Sequence, residues 1–480
     1  MVSYKTPGVY REEVFLKPEV ALPTGIPGFI GFADAIAPLD ALPAGLALNT
    51  LPIPLNDQIR YDAGQKRLVF QGFMTEEQRG VVLSLLPEST DVALAGGFRR
   101  AIATLFEYAQ RTVVLYRKQE FTGSNQRQEF ASKLLSPAAS YLPEVVSGFF
   151  ENGGTQCYVV RADPGLEREA ALTDEALFRA LAILVDLDLV AVPDAMTLRY
   201  PNQVPDREAI IRVQRAVLQH CNQEGDRIAL LDALPSLVEG QPSLTLADIL
   251  AQQQQLIANQ PEPLNAAFYY PWLRNSQDYP DPSVLSQRVQ GRLVPPCGHI
   301  AGIIARSDRD RGVFKAPANE ELRDVLDLEV LIGNDQQAEL NPVGINCLRV
   351  FPGRGIRLWG ARTLSRDRLW RYISTRRLVL TLGRWIDRNM TWATFEPNSP
   401  RLWIRIQREL SAYLTQLWRL GALQGAIAEQ AFYVKCDGET NPPDNRDTGT
   451  VITEIGLVPS STAEFVIVRI IHRDGATEIR

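Results

Sequence analysis

The chain has 480 residues, 45% of them apolar and 22% charged, with 33 glycines and 32 prolines. That length suggests roughly three folding units with apolar side chain enough for real cores, and the composition excludes a disordered, collagen-like or low-complexity polypeptide. The formal charge of −6 is uneven: residues 349–408 hold fourteen Arg against Asp367, Asp387 and Glu396, a local +11 that leaves −17 for the remainder.

Taken in order, Tyr4-Lys-Thr-Pro-Gly-Val-Tyr reads as a short extended strand. Pro18, Pro23 and Pro27 follow it and deny it a local hairpin partner. A Pro-rich link runs from Pro38 to Pro54, and then Gln58–Tyr61 and Arg67–Gln71 read as a hairpin. Thr75-Glu-Glu-Gln is a capping box that opens a helix to about Leu86, and a second helix is expected from about Asp91 to Gln110. Strands at Gly153–Val160, Asp188–Val192, Ile228–Leu231 and Ala266–Tyr270 alternate with helices at Asp174–Leu184, Asp206–Cys221 and Thr245–Asn259. That alternation predicts an α/β fold with substantial parallel pairing. Ser365–Asn389 reads as one long Arg-rich helix. A second helix is capped by Ser399 with Pro400 at its first position, carries Leu402, Ile406, Leu410, Tyr413 and Leu417 on one face, and is stopped by Gly421. Strand-like runs at Ala431–Cys436, Thr450–Val458 and Glu464–Ile471 make the last part α+β. The apolar runs reach only five to seven residues and the start lacks a charged-then-apolar leader, so the expectation is assembly in the cytoplasm with no bilayer span.

The chemistry-bearing motifs are sparse. The sequence contains no GxGxxG, GxxxxGK[ST], HExxH or GxSxG pattern, so no catalytic residue, cofactor or metal site is expected. Cys157, Cys221, Cys297, Cys347 and Cys436 are odd in number and lie 50 or more residues apart; they are read as reduced and buried. Two other functions remain open. Asp186 and Asp188 flank a buried strand, where carboxylates can serve an α/β enzyme. Trp359, Trp370, Trp385, Trp392 and Trp403 stand among the arginines of 349–408, a mixture that can bind nucleic acid, although their helical spacing reads as core. Only seven of the 50 basic residues are Lys and the other 43 are Arg, the residue suited to carboxylates at interfaces. Both chain ends are strand-like and unpartnered, and an extended segment can add to a sheet edge in another molecule. If each copy offers its ends forward, the contact is head-to-tail and need not close.

The chain resembles the contractile tail sheath family in several stretches taken in order. They include Tyr4-Lys-Thr-Pro-Gly-Val-Tyr, Tyr141-Leu-Pro-Glu-Val-Val-Ser-Gly-Phe-Phe-Glu-Asn-Gly-Gly, and Val294-Pro-Pro-Cys-Gly-His-Ile-Ala-Gly-Ile-Ile-Ala-Arg-Ser-Asp with Arg311-Gly-Val-Phe-Lys-Ala-Pro-Ala-Asn. Asn341-Pro-Val-Gly-Ile-Asn, Leu417-Trp-Arg-Leu-Gly-Ala-Leu, Phe432-Tyr-Val-Lys-Cys-Asp and Ala463-Glu-Phe-Val-Ile-Val-Arg-Ile complete the series. The resemblance implies a non-enzymatic subunit of stacked hexameric rings around an inner tube, with baseplate and terminal cap proteins as further partners. It implies no nucleic acid and no membrane insertion. It assigns the neighbour-joining strands to Tyr4, Thr6, Pro7, Gly8, Val9 and Tyr10 and to Phe465, Val466, Ile467, Val468 and Ile470, and it makes Arg401, Arg405 and Arg408 candidates for facing the tube. The expected organisation is an N-terminal arm (1–20), a link into the core (21–54), an inserted module (55–118), an α/β domain (119–340), a C-terminal core domain (341–460) and a C-terminal arm (461–480). The module resembles small inserts of extracellular contractile injection systems.

Overall fold

The computed structural model describes residues 22–32, 140–163, 165–182, 184–200, 204–236, 244–276, 291–393, 396–443 and 451–460, and the backbone of strands at 59–62, 67–70, 113–117, 278–280, 288–290, 470–473 and 476–479. Two units are present, one built mainly from Pro23–Thr381, the other containing Leu382–Pro459.

The first unit is organised by a nine-stranded sheet. In chain order its strands are β1 (Pro27–Gly31), β2 (Val113–Arg117), β3 (Gln156–Arg161), β4 (Leu189–Ala191), β5 (Ile228–Asp232), β6 (Ala266–Tyr270), β7 (Glu320–Glu321), β8 (Ile345–Phe351) and β9 (Gly355–Trp359). Their spatial order is β7-β9-β8-β6-β5-β4-β1-β3-β2. The six strands from β3 to β8 across the middle pair in parallel, and the edges turn antiparallel at β2 on one side and at β9 and β7 on the other. Strands β1, β4, β5 and β6 are buried along their whole length. That explains their near-continuous apolar sequences: a parallel sheet is covered on both faces.

Of the covering helices, the two whose caps the sequence offers, at Asp206 and Thr245, begin where those caps lie. Helix α1 is Leu142–Glu151, α2 is Arg207–Glu224, α3 is Leu246–Ile257 and α4 is Cys297–Arg311. Asp206 caps α2 by accepting from the Ala209 N–H at 3.0 Å, and Gly225 ends it in the left-handed region at φ 68°. Asp248 accepts from the Thr245 N–H at 2.9 Å, the capping box at the start of α3. Helices α1 and α4 approach closely because Gly298 and Gly302 carry no side chain. A Cβ at Gly298 would lie 2.1 Å from the Val145 carbonyl oxygen, and one at Gly302 would lie 2.4 Å from that of Phe149.

Two expectations are corrected. Ser365–Asn389 is not one helix, because 365–372 is held in another conformation. Thr363 Oγ1 donates to the Trp370 carbonyl at 2.6 Å, Arg362 bridges Tyr372, and Glu262 accepts from the Arg366 N–H at 3.0 Å. Helix α5 therefore starts at Ile373 and runs to Asn389. Within the expected 55–118 module, Val113–Arg117 is β2, the edge of the main sheet. The hairpin expected near residues 58–71 is present as Ile59–Asp62 paired with Arg67–Phe70. The helices expected at 75–86 and 91–110 lie outside the described residues, as do Tyr4, Thr6, Pro7, Gly8, Val9 and Tyr10 and Phe465, Val466, Ile467 and Val468.

The second unit contains α6 (Pro400–Arg419) and a two-stranded antiparallel sheet of β10 (Phe432–Lys435) and β11 (Glu454–Leu457). The face of α6 that carries Leu402, Ile406, Leu410 and Tyr413 is buried, as its spacing predicts. Trp385, fully buried, stacks on Tyr413 with centroids 4.0 Å apart. Asn441 ties the β10 end of the loop to the β11 end: its Oδ1 accepts from the Ile452 N–H at 2.6 Å and its Nδ2 donates to the Ile452 carbonyl at 3.0 Å.

The β1–β2 connection leaves and re-enters the sheet at the same end. Gly31 pairs with Arg161 and Val113 with Val160, on either side of β3. Its roots are therefore two strand spacings apart, about 10 Å. We expect that replacing residues 33–112 by about six Gly and Ser residues, enough to span that gap, leaves a folded body. Its thermal midpoint should stay within a few degrees of the full chain; loss of the cooperative melt would show that the core needs the excursion.

Candidate functional site

Asp188, the carboxylate considered for an enzyme, is 4% exposed and fully engaged. Its oxygens accept from the N–H groups of Gly25 at 3.0 Å and Ile26 at 2.7 Å, and from Arg377 at 2.7 Å. Arg377, on the first part of α5, also reaches both oxygens of Asp308 on α4, at 2.8 and 2.5 Å. Burial opposes the guanidinium charge, but Asp308 and Asp188 outweigh it and hold the Arg377 pKa above the ordinary value. The cluster joins the entry of β1, the entry of β4, α4 and α5. Its geometry is that of a buried structural ion group, with the carboxylate closed to a substrate.

A second buried carboxylate, Asp194, joins the end of β1 to the start of α1. It follows β4 and accepts from the Phe32 N–H at 2.7 Å, Ser140 Oγ at 2.7 Å and the Tyr141 N–H at 2.6 Å. Burial pushes its carboxyl up to about 6 against those three donors. At the end of β5, burial pushes Asp232 up to about 7, opposed by hydrogen bonds from Cys297 at the start of α4. Burial likewise pushes the His299 imidazole down to about 4. All five cysteines are free and buried, as read from their spacing. Among the described residues no three His, Cys, Asp or Glu side chains are grouped to hold a metal, and no helix is long and apolar enough to cross a membrane.

The arginines of 349–408 do not form one patch. Arg362, Arg377 and Arg384 are buried. Arg349 donates to the Ile332 carbonyl and to Asn334, and Arg357 to the carbonyls of Arg354 and Asn319. Arg376 donates to Asn265 at 2.6 Å and lies over Trp370. The tryptophans are partners of this packing too: Trp385 and Trp403 are core, and Trp359 packs on Phe351 at 4.5 Å. The stacking platform that the nucleic-acid reading requires is spent on internal contacts.

In the second unit, Arg401, Arg405 and Arg408 lie together on the N-terminal half of α6 but differ in setting. Arg405 is half-buried over the Trp392 ring at 3.5 Å and donates to Glu409 at 3.2 Å, while Trp392 Nε1 donates to Glu409 at 2.9 Å. Arg401 and Arg408 are exposed and flank Ile404, itself 65% exposed. The spacing 401, 404, 408 puts these three on one face. Beside this helix, β10 and β11 form a sheet of only two strands, with an outer edge on each and no further strand among the described residues. Of the residues that the family resemblance assigns to the arms, Ile470 alone falls in a described strand.

Arg377, Asp308, Asp194 and the Trp392–Glu409 pair were not singled out from the sequence. Asp188 and Arg377 are 189 positions apart, and no local pattern couples them. The Trp392 and Glu409 partnership likewise crosses between two elements.

Comparison with known proteins bears directly on this arrangement. Residues 237–364 match the phage tail sheath protein central domain and residues 365–473 the phage tail sheath C-terminal domain. The tail sheath protein of Vibrio phage KVP40 is 28% identical over 37% of this chain and 26% of its own length. The chain spans less than half the length of the curated relatives it matches. Among solved structures, the helical sheath of the anti-feeding prophage in its contracted state covers 98% of this chain, and this chain 100% of it, at 24% identity and a TM-score of 0.63. The PVC sheath complex of an extracellular contractile injection system, also contracted, covers 99% of each chain at 23% identity and a TM-score of 0.61.

The ion cluster makes a direct test. R377M leaves two buried carboxylates without their cation, and we expect it to lower stability by about 3–5 kcal/mol, read from urea melts. Adding Asp188→Asn and Asp308→Asn should restore part of that loss. An R377M midpoint equal to that of the parent would remove Arg377 from this role.

Proposed function

We propose that this chain, which belongs to the contractile tail sheath family, is the sheath subunit of a phage-tail-like contractile injection system. The carrying observation is the uninterrupted match to the tail sheath central and C-terminal domains over 237–473. The fold shared with two contracted sheaths along nearly the whole chain supports the same reading and favours the extracellular class of such systems over a phage virion.

In this reading the subunits form stacked hexameric rings around an inner tube, between a baseplate and a terminal cap. The two-stranded sheet of β10 and β11 is the receiving element. Its outer edges carry main-chain donors and acceptors that an added strand satisfies, so hydrogen bonds supply affinity with little demand on side chains. Residues Tyr4–Tyr10 and Phe465–Ile471 are the segments offered. A copy that gives to one neighbour and receives from another makes a heterologous contact, which propagates as a helical array. The arms keep rings joined while contraction rearranges the bodies, and interface free energy drives the tube forward. In this reading no nucleotide drives the process, and the partners are other protein chains. The assembly forms in the cytoplasm of the producing cell as part of the particle. The exposed Arg401–Ile404–Arg408 face of α6 suits an acidic inner tube, with the arginines steering and Ile404 supplying apolar contact.

Two measurements test this. Purified full-length chain should form tubes by negative-stain microscopy, and removal of residues 2–12 should leave circular dichroism and melting unchanged while tubes disappear; long tubes from the shortened chain would reject arm exchange. R401E/R408E should reduce co-sedimentation with the tube protein about tenfold at low salt. The gap to the parent should narrow as salt screens the attraction, and undiminished co-sedimentation would place the tube on another face.

A further inference from the structure

Helix α5 runs through the point where one unit ends and the other begins. The division falls between Thr381 and Leu382, and the helix continues across it from Ile373 to Asn389. Its two parts answer to different partners. Ile373 and Leu380 belong to the apolar core of the first unit, and Arg377 is held by Asp188 and Asp308. Trp385 is not part of that core; it stacks on Tyr413 of α6. Gly383 stands between the two parts, more than one turn from either end of the helix.

A glycine inside a helix is destabilising relative to alanine, because its backbone loses more freedom on ordering. A close neighbour that leaves no room for a side chain is one reason to keep it. The other glycines within described α-helices have that reason. A Cβ at Gly148 would lie 2.3 Å from the His299 ring, one at Gly298 2.1 Å from the Val145 carbonyl oxygen, and one at Gly302 2.4 Å from that of Phe149. A Cβ at Gly383 would meet nothing within 4 Å. Its φ is not positive either, so alanine fits there without strain. Neither packing nor backbone conformation calls for glycine at this position.

We propose that Gly383 is a hinge within α5. The second half of the helix, and with it the unit that contains α6 and the β10–β11 sheet, turns about this residue while the Arg377 cluster keeps the first half fixed. Sharp bends in helices concentrate at proline, at glycine and at similar weak points, and a hinge needs only a few positions to absorb the change of dihedral angle. A bend at Gly383 frees the Val379 carbonyl, four residues back along the helix. Both residues are partly exposed, so water can take up that acceptor. The position also protects the ion group. A stiff helix would carry every movement of the second unit to Arg377, where one misplaced oxygen leaves a buried charge unpaired. A compliant residue six positions further on isolates the cluster from that movement. The motion belongs to a single chain, so it goes beyond the sheath reading and does not depend on it.

The test measures distances in the dispersed full-length protein. Spin labels are placed at Q219C on α2 and A412C on α6, exposed positions of the two units, and the five native cysteines are buried. Pulsed electron paramagnetic resonance should give a broad distance distribution, which G383A narrows to about half its width. G383A should also lower the unfolding equilibrium constant about fivefold, whereas G298A, whose Cβ has no room, should raise it. A parent distribution as narrow as that of G383A overturns the hinge, and so does a broad one that G383A leaves unchanged. A G383A chain that is less stable than the parent, or that does not fold, overturns it as well, because packing would then be what requires the glycine.

Discussion

A guanidinium taken out of water must be neutralised where it stands, and Arg377 is 3% exposed. Asp188 and Asp308 meet that requirement, and in doing so they fix four chain segments at one point. The oxygens of Asp188 also take the first two N–H groups that lead into β1. The place where the N-terminal segment enters the sheet is therefore set by the same charge balance that seats α5 against α4. Hydrophobic burial would accept small slips in this register; a buried ion group does not, because one misplaced oxygen leaves an uncompensated charge. Specificity of position, more than net stability, is what such a cluster contributes.

The alternation of apolar strands and capped helices made the α/β body legible: Ala266–Tyr270 is a strand to the residue, and the Thr245 and Asp206 caps lie where their letters put them. What was not legible depends on contacts distant in sequence. Pro27 reads as a breaker, yet β1 begins at that residue and sits between β3 and β4. A proline at the first residue of a strand is tolerated, and only the neighbours reveal it. The start of α5 was misplaced because Thr363 and Glu262 hold 365–372 out of helix, and neither partner lies within the helical pattern. Arg401, Arg405 and Arg408 were legible as a group, but their division was not. Trp392 and Glu409 withdraw Arg405 from the exposed face by a contact across elements.

That division clarifies the arginine-rich composition. A basic run of +11 suggests a single charged surface, yet the charge is distributed among carbonyls, carboxylates and ring faces, many inside the fold. Arginine suits this because its five donors can satisfy several acceptors at once, as Arg377 does with two carboxylates. The exposed remainder on α6 is small, and its strength lies in being paired with an exposed apolar residue.

The two kinds of sheet in this chain have different thermodynamic standing. The nine-stranded sheet closes its own account, with central strands buried on both faces and every interior edge paired. The sheet of β10 and β11 cannot do so, since it has more edge than interior and only four residues per strand. A chain that combines one self-sufficient sheet with short sheets that are not can fold its body first and defer the rest until a neighbour arrives. In the proposed arm exchange, the association free energy must offset the cost of fixing the exchanged segments. Under that proposal the hydrogen bonds that join copies lie outside the core that gives each copy its shape, so the bodies can move while the strand contacts persist.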